Sequence, residues 1–444
     1  MRLPYFKNKT YLSGIDWIIS AIDYYLIRTS GTGNHSTLII NLEKKISIKD
    51  LDVRLQAIYQ NIPVLSGNIK RDKINLAPYW YCKKKRQNTY QIFEHKCENK
   101  EEFETLKFNI LNEKFKFCYQ HLKFNIINGP EMYYLLMTFD HKILDAHGAE
   151  MFLQLLNKSS EEKIIAKIRE IKQTNAAKLI NWQKKFDAGR DIQRHLIQMS
   201  KNECETIGSC TIKGTLKNKC GQAQESLTTV YTEQETKVIK RISEKRAGFM
   251  METAFFLAVC TKSINSVLSE NKPLCHYSIP MPIDMRGNSK GLKKMLRNHL
   301  SFMFLKIEFP QKATIEEIST KYKHAILNEV SNEYPEKLQK ATRLARICPL
   351  GILYRFMSLS MKGKVCSFAF SNLGESNSVK DILGSEIKCI SHMPRVPTPP
   401  GIGFFFNTFS KKLQFTVIWN KAIIEKNQVN VIVNKINECF KEEE

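Results

Sequence analysis

The 444-residue sequence predicts a mixed α/β (α+β) protein with two halves of similar size. Two observations carry this. Short apolar strand patterns and amphipathic helix patterns occur together in both halves. Between them, residues 201–225 lose all periodicity and carry three glycines and three cysteines, as a linker would. The expected organisation is a lobe over 1–200, a linker over 201–225 and a second lobe over 226–444. At roughly 100–200 residues per domain, the length allows each lobe its own core.

In the first half, Ser36–Leu42 reads as a strand. Ser47-Ile48-Lys49-Asp50 resembles a capping box opening a helix with Leu51, Leu55 and Ile58 on one face, ended before Pro63. Strand signals return at Pro78–Tyr81 and Tyr90–Phe93. Tyr133–Phe139 is a nearly unbroken apolar run, read as a central strand. The polar loop Asp140–Gly148 follows it, then a short helix, Ala149–Leu156. Ala176–Ser200 reads as a long mixed-charge helix.

The second half opens with a strand at Leu227–Tyr231. Thr232-Glu233-Gln234-Glu235 is a further capping box, and Glu252–Leu268 reads as a buried helix. Strands are expected at Cys275–Ile279, Leu300–Ile307 and Val365–Phe370. Phe404–Phe409 and Leu413–Trp419 form a hairpin across residues 410–412. The last helix aligns Val429, Ile432, Val433, Ile436 and Phe440.

Composition excludes several classes. Apolar residues make up 43% and charged residues 25%, too apolar for a disordered chain. The N-terminus shows no apolar core of a secretory signal, and no run approaches the ~20 apolar residues of a membrane span. The 12 cysteines include no Cys-x-x-Cys, which disfavours a zinc ribbon or thioredoxin-like site. The expectation is a reduced, cytoplasmic protein. The formal charge is +24, yet its lysines are spread along the chain, and Lys83-Lys84-Lys85-Arg86 is the only dense run. A nucleic-acid partner is therefore not expected. The charge suits an anionic substrate or an acidic carrier protein, and leaves room for peripheral contact with an anionic membrane face.

Chemistry concentrates in Asp140-His141-Lys142-Ile143-Leu144-Asp145-Ala146-His147-Gly148. A histidine fixed at a strand end suits a general base, because near neutral pH imidazole accepts a proton from a hydroxyl or amine. An aspartate four residues on either bonds the ring or locks the loop by pairing with an arginine. No further His/Cys cluster completes a metal shell. His147 falls outside this spacing and reads as a loop histidine. His276 and His299, beside strands, read as structural histidines.

Strand–His-x-x-x-Asp–helix, here His141 and Asp145, resembles the signature of the CoA-dependent acyltransferase superfamily. That superfamily includes chloramphenicol acetyltransferase, peptide-synthetase condensation domains, alcohol acyltransferases and wax ester synthases. Its frequent pattern is HHxxxDG; here Asp140 replaces the first histidine and Ala146 the glycine, with Gly148 two residues on. Further landmarks follow in order. Asn61-Ile62-Pro63-Val64-Leu65 resembles the "hP-L" turn. Pro282-Ile283-Asp284-Met285-Arg286-Gly287-Asn288 resembles the Asp-x-Arg element. Arg297-Asn298-His299-Leu300-Ser301 resembles the "GN" element, and Phe370-Ser371-Asn372-Leu373-Gly374 the "SNLG" segment of alcohol acyltransferases.

The resemblance implies two chloramphenicol-acetyltransferase-like lobes in a V, with an active-site tunnel at their junction. It implies His141 as general base, Asp145 as its structural partner and Arg286 as the residue pairing with Asp145. Asn298, Ser371 and Asn372 become substrate-binding candidates, the last two as oxyanion donors. It requires no metal and no permanently bound cofactor. Acyl-CoA or a phosphopantetheine thioester is the co-substrate, and the acceptor is a small molecule. A catalytically silent relative that binds a partner or lipid in the same cleft is the alternative, kept open by Ala146.

Overall fold

The computed structural model describes residues 9–29, 31–82, 89–157, 161–170, 181–200, 223–268, 276–287, 292–308, 313–360, 366–376, 379–398 and 400–441. The basic run 83–86, nearly all of the expected linker 201–225, and positions 176–180, 275, 288 and 365 lie outside them.

The first half runs β1 (Thr10–Tyr11), α1 (Gly14–Thr29), β2 (His35–Leu42), α2 (Ile48–Asn61), β3 (Asn68–Arg71), β4 (Pro78–Tyr81), β5 (Gln91–Lys96), α3 (Lys100–Asn112), β6 (Leu122–Asn128), β7 (Tyr133–Asp140), α4 (Ala146–Leu156), α5 (Glu161–Glu170) and α6 (Trp182–Ser200). The second runs β8 (Gln224–Val230), α7 (Glu233–Ala247), α8 (Glu252–Leu268), β9 (His276–Asp284), β10 (Leu300–Glu308), α9 (Ile315–Ser331), α10 (Tyr334–Ala345), α11 (Leu350–Ser360), β11 (Ala369–Glu375), β12 (Asp381–Ile382), β13 (Ser385–Pro394), β14 (Ile402–Phe409), β15 (Lys412–Asn420) and α12 (Lys426–Cys439).

Local signals account for the main boundaries. The Ser47 hydroxyl accepts from Asp50 N–H and starts α2, whose Leu51, Leu55 and Ile58 are fully buried. Thr232 and Glu235 complete a reciprocal capping box at the start of α7. Ser410 and Lys411, with φ of 48° and 63°, turn β14 into β15. That two-residue turn with both φ positive matches the strand twist. The strand expected over 365–370 begins at Ala369 instead.

Besides a small three-stranded sheet of order β1-β4-β3, three sheet units organise the molecule. A six-stranded sheet has the order β12-β13-β2-β7-β6-β5, and a four-stranded sheet β11-β14-β15-β8. β9 and β10 form a long antiparallel pair, Leu300 opposite Asp284 and Glu308 opposite His276. β7 lies between β2 and β6, which explains its unbroken apolar run.

The expected partition of the chain needs one correction. Residues 381–394, assigned by sequence to the second lobe, supply β12 and β13 to the sheet of the first, where Ser391 pairs with Ile39. The chain leaves the second sheet after β11, crosses, and returns as β14. β13 satisfies the otherwise open edge of β2. Each half has its own core, the first around Leu38, Phe124, Met137 and Phe152, the second around Phe255, Tyr277, Phe404 and Phe415. A third cluster joins the two sheets: Ile39, Leu136 and Met393 pack with Phe405 and Ile418.

Candidate active site

β7 ends at Asp140, and its terminus is locked from behind. The Asp140 carboxylate accepts from His121 Nδ1 at 2.8 Å and lies 3.3 Å from Lys142 Nζ, which reaches Asp23 at 2.7 Å. Burial works to raise the Asp140 pKa, but Lys142 and His121 outweigh it and hold the carboxyl well below its usual range. The residue in the place of the superfamily's first histidine is thus built into a buried ion network. His141 follows, its backbone N–H donating to Asn34 O at 3.1 Å.

The ring of His141 faces the second half of the chain. Its Nδ1 lies 3.0 Å from Asn298 Oδ1, and Asn298 Nδ2 donates to His141 O at 2.8 Å. The same Nδ2 donates to Asp16 Oδ1 at 3.1 Å. With two acceptors on its nitrogen side, the Asn298 amide must turn its oxygen to the ring. His141 Nδ1 thus faces an acceptor oxygen and is the ring nitrogen placed to donate. Arg297 N–H donates to Ile143 O at 2.6 Å, further fastening the loop to the segment that enters β10.

Asp145 is the N-cap of α4. Its Oδ1 accepts from Gly148 N–H at 2.8 Å and from Arg286 Nη2 at 2.6 Å, while Oδ2 accepts from His299 N–H at 2.9 Å. Both side chains of the ion pair are buried. Burial pushes the Asp145 carboxyl up, and Arg286 more than reverses this, leaving it below the ordinary range. Arg286 Nη1 also donates to Asp284 at 3.0 Å. The aspartate thus pairs with the arginine, not with the ring of His141.

The cap moves the start of the helix from the expected Ala149 to Ala146. Ala146 is not among the residues with positive φ, so the alanine sits without backbone strain. The glycine requirement falls instead on Gly148, where an added Cβ would come within 2.4 Å of Met295 O.

Ser371 and Asn372 lie on β11 in the second sheet. Asn372 Nδ2 donates to Thr253 Oγ1 at 3.0 Å, and its Oδ1 accepts from Gly374 N–H. Gly374 has a φ of +67°, and Asn-x-Gly here makes an irregularity within β11, where the register against β14 shifts between Asn372 and Glu375. The hydrogen bonds of Asn372 thus run to Thr253 and Gly374 within the second half, and not to His141 or Asp145.

Several participants escaped sequence reasoning. Asp16 is 1% exposed. Glu150, on α4, accepts from His392 Nε2 at 2.9 Å and Ser376 Oγ at 2.7 Å, with His147 Nδ1 at 3.7 Å. His147 Nε2 lies 3.9 Å from Asp284, so this cluster continues to Arg286. The Glu150 carboxylate beside it raises the His147 pKa against the effect of burial. An acid inside the apolar stretch of α4 was the available signal for Glu150; the crossing of β13, which brings His392, had none.

No family model and no curated protein matches this sequence. The fold has many solved counterparts. Trichothecene 15-O-acetyltransferase from Fusarium sporotrichioides is 11% identical, with a TM-score of 0.64 over 97% of this chain and 95% of that one. The condensation domain of the monacolin K polyketide synthase is 10% identical, with a TM-score of 0.60 over 97% and 96%. The wax ester synthase/diacylglycerol acyltransferase of Marinobacter aquaeolei is 10% identical, with a TM-score of 0.58 over 97% and 98%. The chain has the two-lobed fold shared by CoA-dependent acyltransferases and condensation domains. Its structural neighbours include acyltransferases, condensation domains and an epimerization domain, and at these identities the likeness is one of fold.

Proposed function

We propose that the protein is an acyltransferase that moves an acyl group from a thioester, acyl-CoA or acyl-phosphopantetheine, to a hydroxyl or amine of a small molecule. The observation that carries this reading is the ring of His141, held between the two halves by Asn298, whose Oδ1 lies 3.0 Å from Nδ1.

In this reading the acceptor O–H or N–H gives its proton to His141 Nε2 as the acceptor atom attacks the thioester carbonyl carbon. The tetrahedral oxyanion collapses, the C–S bond breaks, and the imidazolium returns the proton to the departing thiolate. Asp145 takes no proton; through Arg286 and the His299 amide it holds the loop. The +24 charge favours a polyanionic CoA or an acidic carrier. The starter condensation domain of rhizomide synthetase, which has the same fold, was solved with C8-CoA, which supports a CoA thioester as the first donor to try.

The test is thioester consumption. Acyl-CoA donors of increasing chain length are offered with alcohol and amine acceptors, and free thiol is measured. Turnover above the His141→Ala background supports the proposal. No turnover with either CoA or pantetheine donors favours the silent, cleft-binding alternative.

A further inference from the structure

We propose that Asp16, on the N-terminal helix and outside the His-x-x-x-Asp loop, is a positioning residue that decides which nitrogen of His141 is the base. The proposal rests on the reading of His141 as general base given above. The geometry is a relay of three residues from three parts of the chain. Asp16 Oδ1 accepts from both the backbone N–H of Asn298, at 2.9 Å, and its Nδ2, at 3.1 Å. Asn298 Oδ1 then meets His141 Nδ1 at 3.0 Å.

An ionised carboxylate only accepts hydrogen bonds. A flipped Asn298 amide would turn its oxygen onto the Asp16 carboxylate and the His141 carbonyl, both acceptors. Its NH2 would then face His141 Nδ1, driving the hydrogen to Nε2 and removing the base from the reacting side. Asp16 therefore sets the amide, and the amide sets the ring. A buried acceptor facing another acceptor forfeits the hydrogen bond and its solvation together, which makes the preference strong.

Asp16 is itself held in place. Its Oδ2 accepts from Ser13 N–H at 2.9 Å and Ser13 Oγ at 2.8 Å. Arg297 is the neighbouring cation, and its guanidinium interacts electrostatically with Asp16. At 1% exposure, Asp16 is placed to act through Asn298, not on a substrate.

The test reads the tautomer directly. In protein labelled with 15N-histidine, long-range 1H–15N correlation distinguishes Nδ1–H from Nε2–H, and a His141→Gln spectrum assigns the ring. The wild type is expected to show Nδ1–H. Asp16→Asn keeps one acceptor oxygen but turns an NH2 toward either Asn298 or Ser13, so its tautomer bias and kcat should fall between those of wild type and Asp16→Ala. Asp16→Ala should lose the single tautomer and lower kcat roughly ten- to a hundredfold, part of the 10²–10⁴ worth of a positioned base, with KM little changed. If Asp16→Ala fails to fold, Asp16→Ser, too short to hold Asn298, carries the same expectation. Nε2–H in the wild type, or an Asp16→Ala or Asp16→Ser protein with unchanged tautomer and kcat, would overturn the relay. The tautomer is read without substrate. A wild type that consumes no thioester yet shows Nδ1–H would defeat the acyl-transfer reading alone.

Discussion

At the scale of single residues, the loop is held by a few buried polar contacts, each with a separate job. Asp145 caps α4, pairs with Arg286 and accepts from the backbone of His299. Removing one partner of such a buried pair leaves the other charge uncompensated, at a cost of about 3–5 kcal/mol. Arg286→Ala should therefore lower the unfolding free energy by that order at neutral pH. The pH dependence follows from the lowered Asp145 pKa. Its stabilisation is full above the unfolded value of about 3.9 and is lost as pH falls through the folded value. In Arg286→Ala the buried carboxylate gains by taking up a proton. Denaturant melts should show the gap from wild type narrowing between pH 7 and pH 4. A gap independent of pH would mean that the pair is not what Arg286 contributes.

The two small residues of the loop make a second contrast. Ala146→Gly should leave turnover and melting temperature near wild type, since that position has no positive φ to relieve. Gly148→Ala should damage both, because the new Cβ meets the Met295 carbonyl at 2.4 Å. Melting curves and a turnover assay on the two variants check this. The opposite ranking would show that the superfamily's glycine is needed at position 146.

At the scale of elements, the strand β7, the helix α4 and the β9–β10 pair meet through that loop, and the crossover into β12 and β13 is tied to the same helix. Glu150 of α4 holds Ser376 and His392 on the crossing segment. Burial opposes its charge, yet the nearby His147 and the hydrogen-bonded His392 leave its pKa lowered. The His147 pKa is raised in return. A raised histidine pKa adds stability that is full below the unfolded value of about 6.5 and is lost as pH rises through the folded value. Glu150→Gln should thus destabilise more at pH 6 than at pH 9, by about 1 kcal/mol for the lost pairing of the His147 cation with the carboxylate at the lower pH. Equal loss at both pH values would show that His147 stays neutral in the fold.

The same elements show what the sequence made legible. β7, α2, α7, α8, α12 and the β14–β15 hairpin were readable because periodicity, caps and turns are local properties. The His141–Asp145 spacing and Arg286 were readable through resemblance to known relatives. β13 was not: its Lys, Ser and His residues break an apolar pattern, and its place beside β2 depends on a crossover that no local signal encodes. Asp16 and Glu150 were missed for a similar reason. Each is an acid in an apolar helix whose inter-element partners are distant in sequence: Ser376 and His392 lie 226 and 242 residues from Glu150, and Asn298 lies 282 from Asp16.

At the scale of the molecule, two halves with separate cores are joined by the shared cluster around Ile39 and Phe405 and by the exchange of β12 and β13. Among the described residues, no single helix is long and apolar enough to cross a membrane. The net charge of +24 acts at this scale, on encounter and not on chemistry. If a CoA thioester is the donor, its KM should rise with added salt while kcat stays level, as screening shortens the reach of the basic surface to about 8 Å at 0.15 M. Initial rates across a salt series check this.

The central claim is that His141 is the base of a thioester-dependent transfer. The most direct measurement is single-turnover thiol release with a competent donor and acceptor, comparing wild type, His141→Ala and His147→Ala. The account predicts a fall of roughly 10²–10⁴-fold for His141→Ala. It predicts a much smaller change for His147→Ala, whose ring faces Glu150 and Asp284 and not the lobe-spanning Asn298. Full activity in His141→Ala, or its loss only in His147→Ala, would contradict the account.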